Sequence, residues 1–499
     1  MPDRDRVFLA AKVEQVQGYL LTSPRLRQIR GGSALLVELE REVRDTLEAL
    51  HGEVRCAAGG ILLAVFDDED SARNGLDQVR RMVAKRAPAA RLRGATSVWP
   101  SGTPFRDALR AALDLDAVAG VDGAGPLGLG PPPDLPFTVP CDICRARPAR
   151  EVITHANQWL RACIDCLARS AADRQRARGA SAEAGTKREA GTKRAEVEQF
   201  LRKFEPREGG HRPATIDDLA RGARPRGYVG YVAADGNGIG ERLGELDTPE
   251  AYQDFSSALD EATLEALRSA VQACVVDAAE AEQQVNRLLP VLYGGDDLLL
   301  FCSPALAVPL AVAFARRFEE LTAGDPRTKG RLGTGVGVVI AHASTPFGAL
   351  DEAAHTLQKA AKRLARVHGG GSAVGFRVLH SGTQATPEQV RRGYFAGVGA
   401  FLLDDCETLL RLARGLRDSE PPWSRLRQID ALLRRDDLAV PDDLALLLGA
   451  PSMTGARTHL EQAMELPSGS RDSGSRPWRQ TDDGYVTALP DLLALTELL

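Results

Sequence analysis

The chain is short of several things, and each shortage excludes something. Lysine supplies only 8 of its 63 basic residues, the other 55 being arginine. Aromatic residues make up 5%, too few for an RNA reader built on stacking platforms. Charge of neither sign prevails, since 63 basic against 68 acidic residues leave −5. That excludes a uniformly basic nucleic-acid coat, although not a local patch. The N-terminal MPDRDRVFLA has no basic-then-apolar leader. A clean membrane span is also lacking. Residues 298–315 (LLLFCSPALAVPLAVAFA) are uncharged, but Ser303-Pro304 and Pro309 interrupt them. The pattern predicts a buried strand, a turn and a buried helix. Eight cysteines do not make a disulfide framework, because four fall in two C-x2-C pairs and four are scattered. This reads as a reduced, cytoplasmic setting with one metal site and no membrane contact.

What remains is an ordinary globular composition, 43% hydrophobic and 26% charged. A length of 499 residues suggests about three domains. Four textures follow one another. Residues 1–120 alternate short apolar strands with helical patterns. VFLAAKV (7–13) reads as a strand, and Gly31-Gly32-Ser33 as the opening of a helix with Ser33 as its N-cap. Residues 54–66 read as a hairpin turning at Gly59-Gly60. A charged helix and the strand RLRGATSVW complete a β-α-β-β-α-β order, the ferredoxin-like plan.

Residues 121–226 hold a Gly/Pro linker (120–136), the paired cysteines and an Arg-rich segment with the duplication AGTKRE/AGTKRA (184–195). From 141 to 226 there are 19 basic and 12 acidic residues, so this +7 stretch sits against −12 elsewhere. It could meet a nucleic-acid backbone or form a solvated face. Arg25, Arg27 and Arg30 suggest surface packing or a nucleotide contact.

Residues 227–384 repeat the β-α-β-β-α-β order. Strands are expected at 228–234, 288–293, 298–302 and 333–343, with helices from Pro249 to about Ala279, over 305–322 and from Pro346 to about Val367. A further strand, SAVGFRVLH, closes the unit. Residues 385–499 read as Leu/Arg-rich helices, at 399–416 and 425–448. The fold class is therefore α+β, with two ferredoxin-like units, an insert and a helical tail.

The sharpest feature is the pair Asp235-Gly236-Asn237-Gly238 and Gly294-Gly295-Asp296-Asp297. In a ferredoxin-like sheet the first and third strands are antiparallel neighbours. The end of one lies beside the start of the other, so residues 61 apart in sequence meet as a carboxylate cluster. Alone, each motif could simply close a turn. Together they suit two hard cations, Mg²⁺ or Mn²⁺, which can activate a 3′-hydroxyl and stabilise leaving pyrophosphate. The glycines admit close approach of a triphosphate. Lys362, on a later helix, could reach its phosphates as a point charge.

Cys141-x2-Cys144 and Cys163-x2-Cys166 are 18 residues apart, a zinc-ribbon spacing. Four thiolates make a closed structural Zn²⁺ site. His155 and the other cysteines (Cys56, Cys274, Cys302, Cys406) read as ordinary residues.

The second unit resembles the palm of the GGDEF and adenylyl-cyclase superfamily. The whole chain resembles the large subunit of type III CRISPR effector complexes, the Cas-ten/Cmr-two family. The resemblance is carried by LRQIRGGSALL (26–36), Gly59-Gly60, the two cysteine pairs, DGNGIG (235–240), YGGDD (293–297) and GVGVVIAHASTPF (335–347). It implies two palms, a zinc-binding insert and a C-terminal helical domain, in that order. It implies synthesis of cyclic oligoadenylate from ATP in antiviral defence, with Asp235, Asp296 and Asp297 as catalytic metal ligands. Nucleotide would lie against Gly236, Asn237, Gly238, Gly294, Gly295 and Lys362. Ser33, Gly59 and Gly60 of the first, non-catalytic palm would meet an acceptor nucleotide. Guide RNA, target RNA and other effector subunits are the implied partners.

The chain departs from the family in two places. It contains no His-Asp dipeptide, so no HD nuclease is expected. Where the family commonly has Asp-Gly-Asp, it has Asp235-Gly236-Asn237. Asn237 favours the rival reading, a catalytically inactive scaffold or RNA-guided binding subunit. A stand-alone cyclic-nucleotide synthase outside CRISPR is the third.

Overall fold

The computed structural model describes residues 5–23, 25–114, 139–155, 158–179, 197, 200–201, 216–221, 223, 225–276, 288–379, 395–433, 440–466, 479–481 and 484–499. The linker at 120–136, the duplication at 184–195 and the expected helix end at Ala279 lie outside them.

The first unit runs β1 (Arg6–Glu14), α1 (Val16–Leu20), α2 (Leu26–Ala49), β2 (Glu53–Ala58), β3 (Ile61–Phe66), α3 (Glu69–Arg86), β4 (Arg91–Trp99) and α4 (Phe105–Leu113). Its sheet order is β2-β3-β1-β4, with every pairing antiparallel. Side chains alternate across β1. Val7, Leu9 and Ala11 join one core, with residues of α2 and α3, and Phe8 and Ala10 another, and both cores include residues of the segment 228–376. Phe105 meets Tyr252 of that segment, ring to ring at 6.3 Å.

The start of α2 differs from expectation. The helix begins at Leu26 after Arg25, and Gly31, Gly32 and Ser33 lie inside it. Ser33 is therefore not its N-cap. The glycines answer to packing, since a Cβ on Gly31 would stand 1.9 Å from the carbonyl oxygen of Arg169.

Arg169 belongs to the insert, which comprises a hairpin, β5 (Glu151–His155) and β6 (Gln158–Ala162), followed by α5 (Ile164–Gly179) and α6 (Ile216–Ala220). Helix α5 docks on α2 through buried polar groups. Arg169 pairs with Asp165 at 2.7 Å, donates to the Tyr19 carbonyl at 2.8 Å and stacks over the Tyr19 ring at 4.0 Å. Arg30 pairs with Asp173 at 3.0 Å, Arg27 reaches the same carboxylate at 3.8 Å, and Gln28 donates to Ser170 at 2.7 Å. Arg27 and Arg30 thus serve packing.

The second unit runs β7 (Tyr228–Gly236), α7 (Ile239–Gly244), α8 (Pro249–Val271), β8 (Leu288–Gly294), β9 (Asp297–Cys302), α9 (Pro304–Gly324), β10 (Thr334–His342), α10 (Phe347–Val367) and β11 (Ala373–Leu379). The uncharged run is a strand, Ser303 and a helix, as expected. Among the described residues no helix is long and apolar enough to cross a membrane. Pro290 is tolerated because β8 is an edge strand, bulged beside it.

The C-terminal part runs β12 (Phe395–Ala396), β13 (Ala400–Leu402), α11 (Leu403–Asp418), α12 (Trp423–Leu433), α13 (Val440–Leu448), α14 (Thr454–Met464), β14 (Arg479–Thr481), β15 (Gly484–Val486) and α15 (Leu489–Leu498). It is more than a helical tail. β13 joins the second unit's sheet, whose order is β13-β11-β10-β7-β9-β8, and β12, β15 and β14 form a small sheet of their own. The expected helix at 425–448 is two helices, α12 and α13.

Candidate active site

β7 lies between β9 and β10. The antiparallel ladder pairs Ala234 with Leu298, and one step on lie Asp235 and Asp297. Asp296 occupies the turn before β9. Gly294 and Gly295 take φ of 141° and 61° there, a region that favours glycine. A Cβ on Gly236 would stand 2.9 Å from Cβ of Asp296, so strand end and turn meet closely.

The electrostatics follow from this crowding. Burial, then the charges of Asp297 and Asp235, push the Asp296 carboxyl up to about 7, and hydrogen bonding to Asp235 acts in the same direction. Burial and Asp235 push Asp297 up to about 6, against the positive charges of Lys362, His355 and Lys12. The compensating cation is Lys362. Its Nζ lies 2.5 Å from Asp235 Oδ2 and donates to the Gly236 carbonyl at 2.8 Å. A Cβ on Gly335 would meet Lys362 Cγ at 2.4 Å, so a bare β10 backbone lets the lysine stem cross. Lys362 pairs with Asp235, and the clustered hard oxygen donors suit Mg²⁺ or Mn²⁺. The carboxylates are neighbours rather than a closed cage. Among the described residues only the four paired cysteines bring three or more ligand atoms within 4.8 Å of one another.

The strand end is held from behind by residues that sequence reasoning missed. Thr334 Oγ1 donates to the Asp235 carbonyl at 3.0 Å, and Ser372 Oγ accepts from the Thr334 N–H at 2.9 Å. Ser372 N–H in turn donates to Glu319, a buried acid in the charged C-terminal half of α9. Asn237 Nδ2 donates to the Gly371 carbonyl at 2.8 Å, and its N–H to the Gly333 carbonyl at 2.8 Å. Asn237 thus ties the site to the loop that ends α10, while its buried Oδ1 has no partner. Gly238, at φ 70°, precedes α7.

On α10, His355 stands two turns before Lys362, on the same face. Its Nδ1 lies 2.8 Å from the Asp351 carbonyl oxygen, and the Asp351 carboxylate accepts from Tyr231 at 2.7 Å. Hydrogen bonding to Asp351 raises the affinity of His355 for its proton.

The first unit offers the same turn without the acids. Gly59 and Gly60 have φ of 63° and 78°. Lys12 pairs with Ile61. By the shared register these two stand where Asp235 and Asp297 stand in the second unit. A cation and an isoleucine cannot hold a metal. Ser33 lies within α2 of this unit.

The cysteines form a separate centre. Cys141, Cys144, Cys163 and Cys166 cluster, all buried except the half-buried Cys144. Cys144 Sγ and Cys163 Sγ are 3.8 Å apart, matching the edge of about 3.8 Å in a tetrahedron with Zn–S near 2.3 Å. Backbone N–H groups of Ile143 and Cys163 point at Cys141 Sγ, 3.4 and 3.3 Å away, the outer-shell support a thiolate site uses. His155 and the remaining cysteines stand outside this cluster.

Residues 228–367 match the family model of the Cas10/Cmr2 second palm domain. A solved Csm1–Csm4 cassette in complex with AMPPNP is 14% identical, with a TM-score of 0.57, covering 100% of this chain and 70% of that one. A Csm1–Csm4 cassette in complex with cA4 is 13% identical (TM-score 0.56; 91% of this chain, 66% of that one). Csm1 in T. onnurineus is 14% identical (TM-score 0.56; 90% of this chain, 65% of that one). The chain therefore spans about two-thirds of the length of these structures. A comparison with curated proteins finds no match. The resemblance to the Cas-ten/Cmr-two family is borne out over residues 228–367 by the family model, and the remainder shares the fold of the Csm1 structures.

Proposed function

We propose that the chain is a nucleotidyltransferase that joins ATP into a cyclic oligoadenylate or a related cyclic nucleotide, as the large subunit of a type III CRISPR complex. The carrying observation is the rim where Asp235, Asp296 and Asp297 meet, two of them half-buried with carboxyls pushed up to about 7 and about 6 by desolvation and by one another's charge. The same fold in cassettes solved with AMPPNP and with cA4 supports the choice of an adenine nucleotide.

In this reading Asp235, Asp296 and Asp297 hold two Mg²⁺ or Mn²⁺ ions. When bound, such ions activate a ribose 3′-hydroxyl and stabilise departing pyrophosphate. Lys362 supplies a point charge at the phosphates. Gly236, Gly238, Gly294 and Gly295 let backbone approach the triphosphate. Asn237 ties the strand end to the Gly371 loop through Nδ2, and Asp235 carries the strand-end carboxylate role. The Gly59-Gly60 turn faces the acceptor nucleotide, and Ser33, inside its helix, has no assigned part. The four cysteines hold a structural Zn²⁺ that ties the insert together. Guide RNA, target RNA and a Csm4-like subunit are the proposed partners.

The test is pyrophosphate release from ATP with Mn²⁺, for the wild type and for Asp297→Ala. Release that depends on Asp297 supports the reading. Absence of release with and without RNA would leave the scaffold reading, to which Asn237 belongs.

A further inference from the structure

The turn carrying Asp296 and Asp297 is gripped by one helix. The Gly295 N–H donates to Asp260 Oδ1 at 3.0 Å, and the Gly295 carbonyl accepts from Thr263 Oγ1 at 2.6 Å. Asp260 and Thr263 are three residues apart on α8 and so share a face. Thr263 is fully buried on the core-facing side of that helix. The N–H of Gly295 belongs to the peptide joining it to Gly294, and its carbonyl to the peptide joining it to Asp296. Both planes flanking Gly295 are thereby fixed, including the one whose nitrogen is that of Asp296.

Such a grip is needed here. Two successive glycines have the widest backbone freedom of any turn. A Cβ added at Gly295 would meet nothing within 4 Å, so no steric wall holds the turn. The next two residues are half-buried acids beside Asp235, and like charges drive such groups apart. Glycine freedom and carboxylate repulsion both favour an open turn, and two hydrogen bonds from α8 oppose it.

We propose that Asp260 and Thr263 are positioning residues that lock the turn, so that Asp296 and Asp297 stand ready for cations and substrate phosphates. This rests on reading the aspartate cluster as a catalytic metal site. Asp260 acts through the Gly295 amide and is not itself a ligand.

The test uses the full chain without metal, as wild type, Asp260→Ala, Asp260→Asn, Thr263→Val and Asp297→Ala. Amide hydrogen exchange is followed across residues 290–300, and Mn²⁺ binding by electron paramagnetic resonance. A hydrogen bond to a charged group carries about tenfold or more in equilibrium constant. Asp260→Ala should therefore speed exchange of the turn and weaken Mn²⁺ binding, each by about tenfold or more. Asp260→Asn keeps the accepting oxygen and should restore both to within about threefold of wild type. Thr263→Val, similar in shape, should reproduce the faster exchange if the alanine variant folds poorly. Wild-type exchange in both Asp260→Ala and Thr263→Val would overturn the proposal, as would failure of Asp260→Asn to rescue. If Mn²⁺ binding ignores Asp297→Ala, the metal-site reading fails, while the exchange comparison still decides the lock.

Discussion

Asp296→Asn should make the metal-free protein more stable, although it removes a proposed catalytic group. Lifting this carboxyl from 3.8 to about 7 penalises its ionised form by about 4 kcal/mol, at 1.36 kcal/mol per tenfold in proton affinity. Asparagine keeps the shape without the charge. Above pH 7 the variant should gain about 2–4 kcal/mol, or about 4–16 °C in Tm for a domain of about 150–250 residues. The sign against pH follows from proton counting. Between about pH 4 and pH 7 the folded state binds more protons here than the unfolded chain, so wild-type stability falls as pH rises through that window. The variant should lose much of that slope. Mn²⁺ should stabilise the wild type at pH 8, and the variant little. Differential scanning calorimetry at pH 5 and pH 8, with and without Mn²⁺, measures all of this. A variant less stable than wild type at pH 8, or one with an unchanged pH slope, would refute the reasoning.

Three further outcomes are expected. Purified protein should carry one zinc per chain by mass spectrometry of the metal, and Cys163→Ser should lose it and lower Tm. Gly31→Ala sets a methyl 1.9 Å from the Arg169 carbonyl oxygen; pushing α5 off α2 should cost about 3 kcal/mol in thermal unfolding. Lys362→Met should raise KM for ATP by about tenfold, the worth of one charge-assisted hydrogen bond to phosphate, while Mn²⁺ binding persists.

The second palm was legible because its strands are unbroken apolar runs and its acids stand at both ends of adjacent strands. Period and turn chemistry alone place Asp235 beside the Gly294–Asp297 turn. The cysteine centre was legible for a similar reason, since ligand spacing is local. The docking of α5 on α2 was not. Gly31-Gly32 reads as a helix opening from local rules, and only the approach of Arg169 from more than a hundred residues away explains it. Asp260, Thr263, Thr334, Ser372 and Glu319 were hidden likewise. Each is a common residue type whose role comes from a distant backbone group that no periodicity announces. The strands β12 to β15 were too short to rise above a leucine-rich helical pattern.

The most direct test of the central claim is mass spectrometry of products formed from ATP with Mg²⁺ or Mn²⁺, with and without guide and target RNA. Wild type should yield a cyclic oligoadenylate or a related cyclic nucleotide, and Asp296→Ala/Asp297→Ala should yield none. No product under any condition, or the same product from the double variant, would contradict the account.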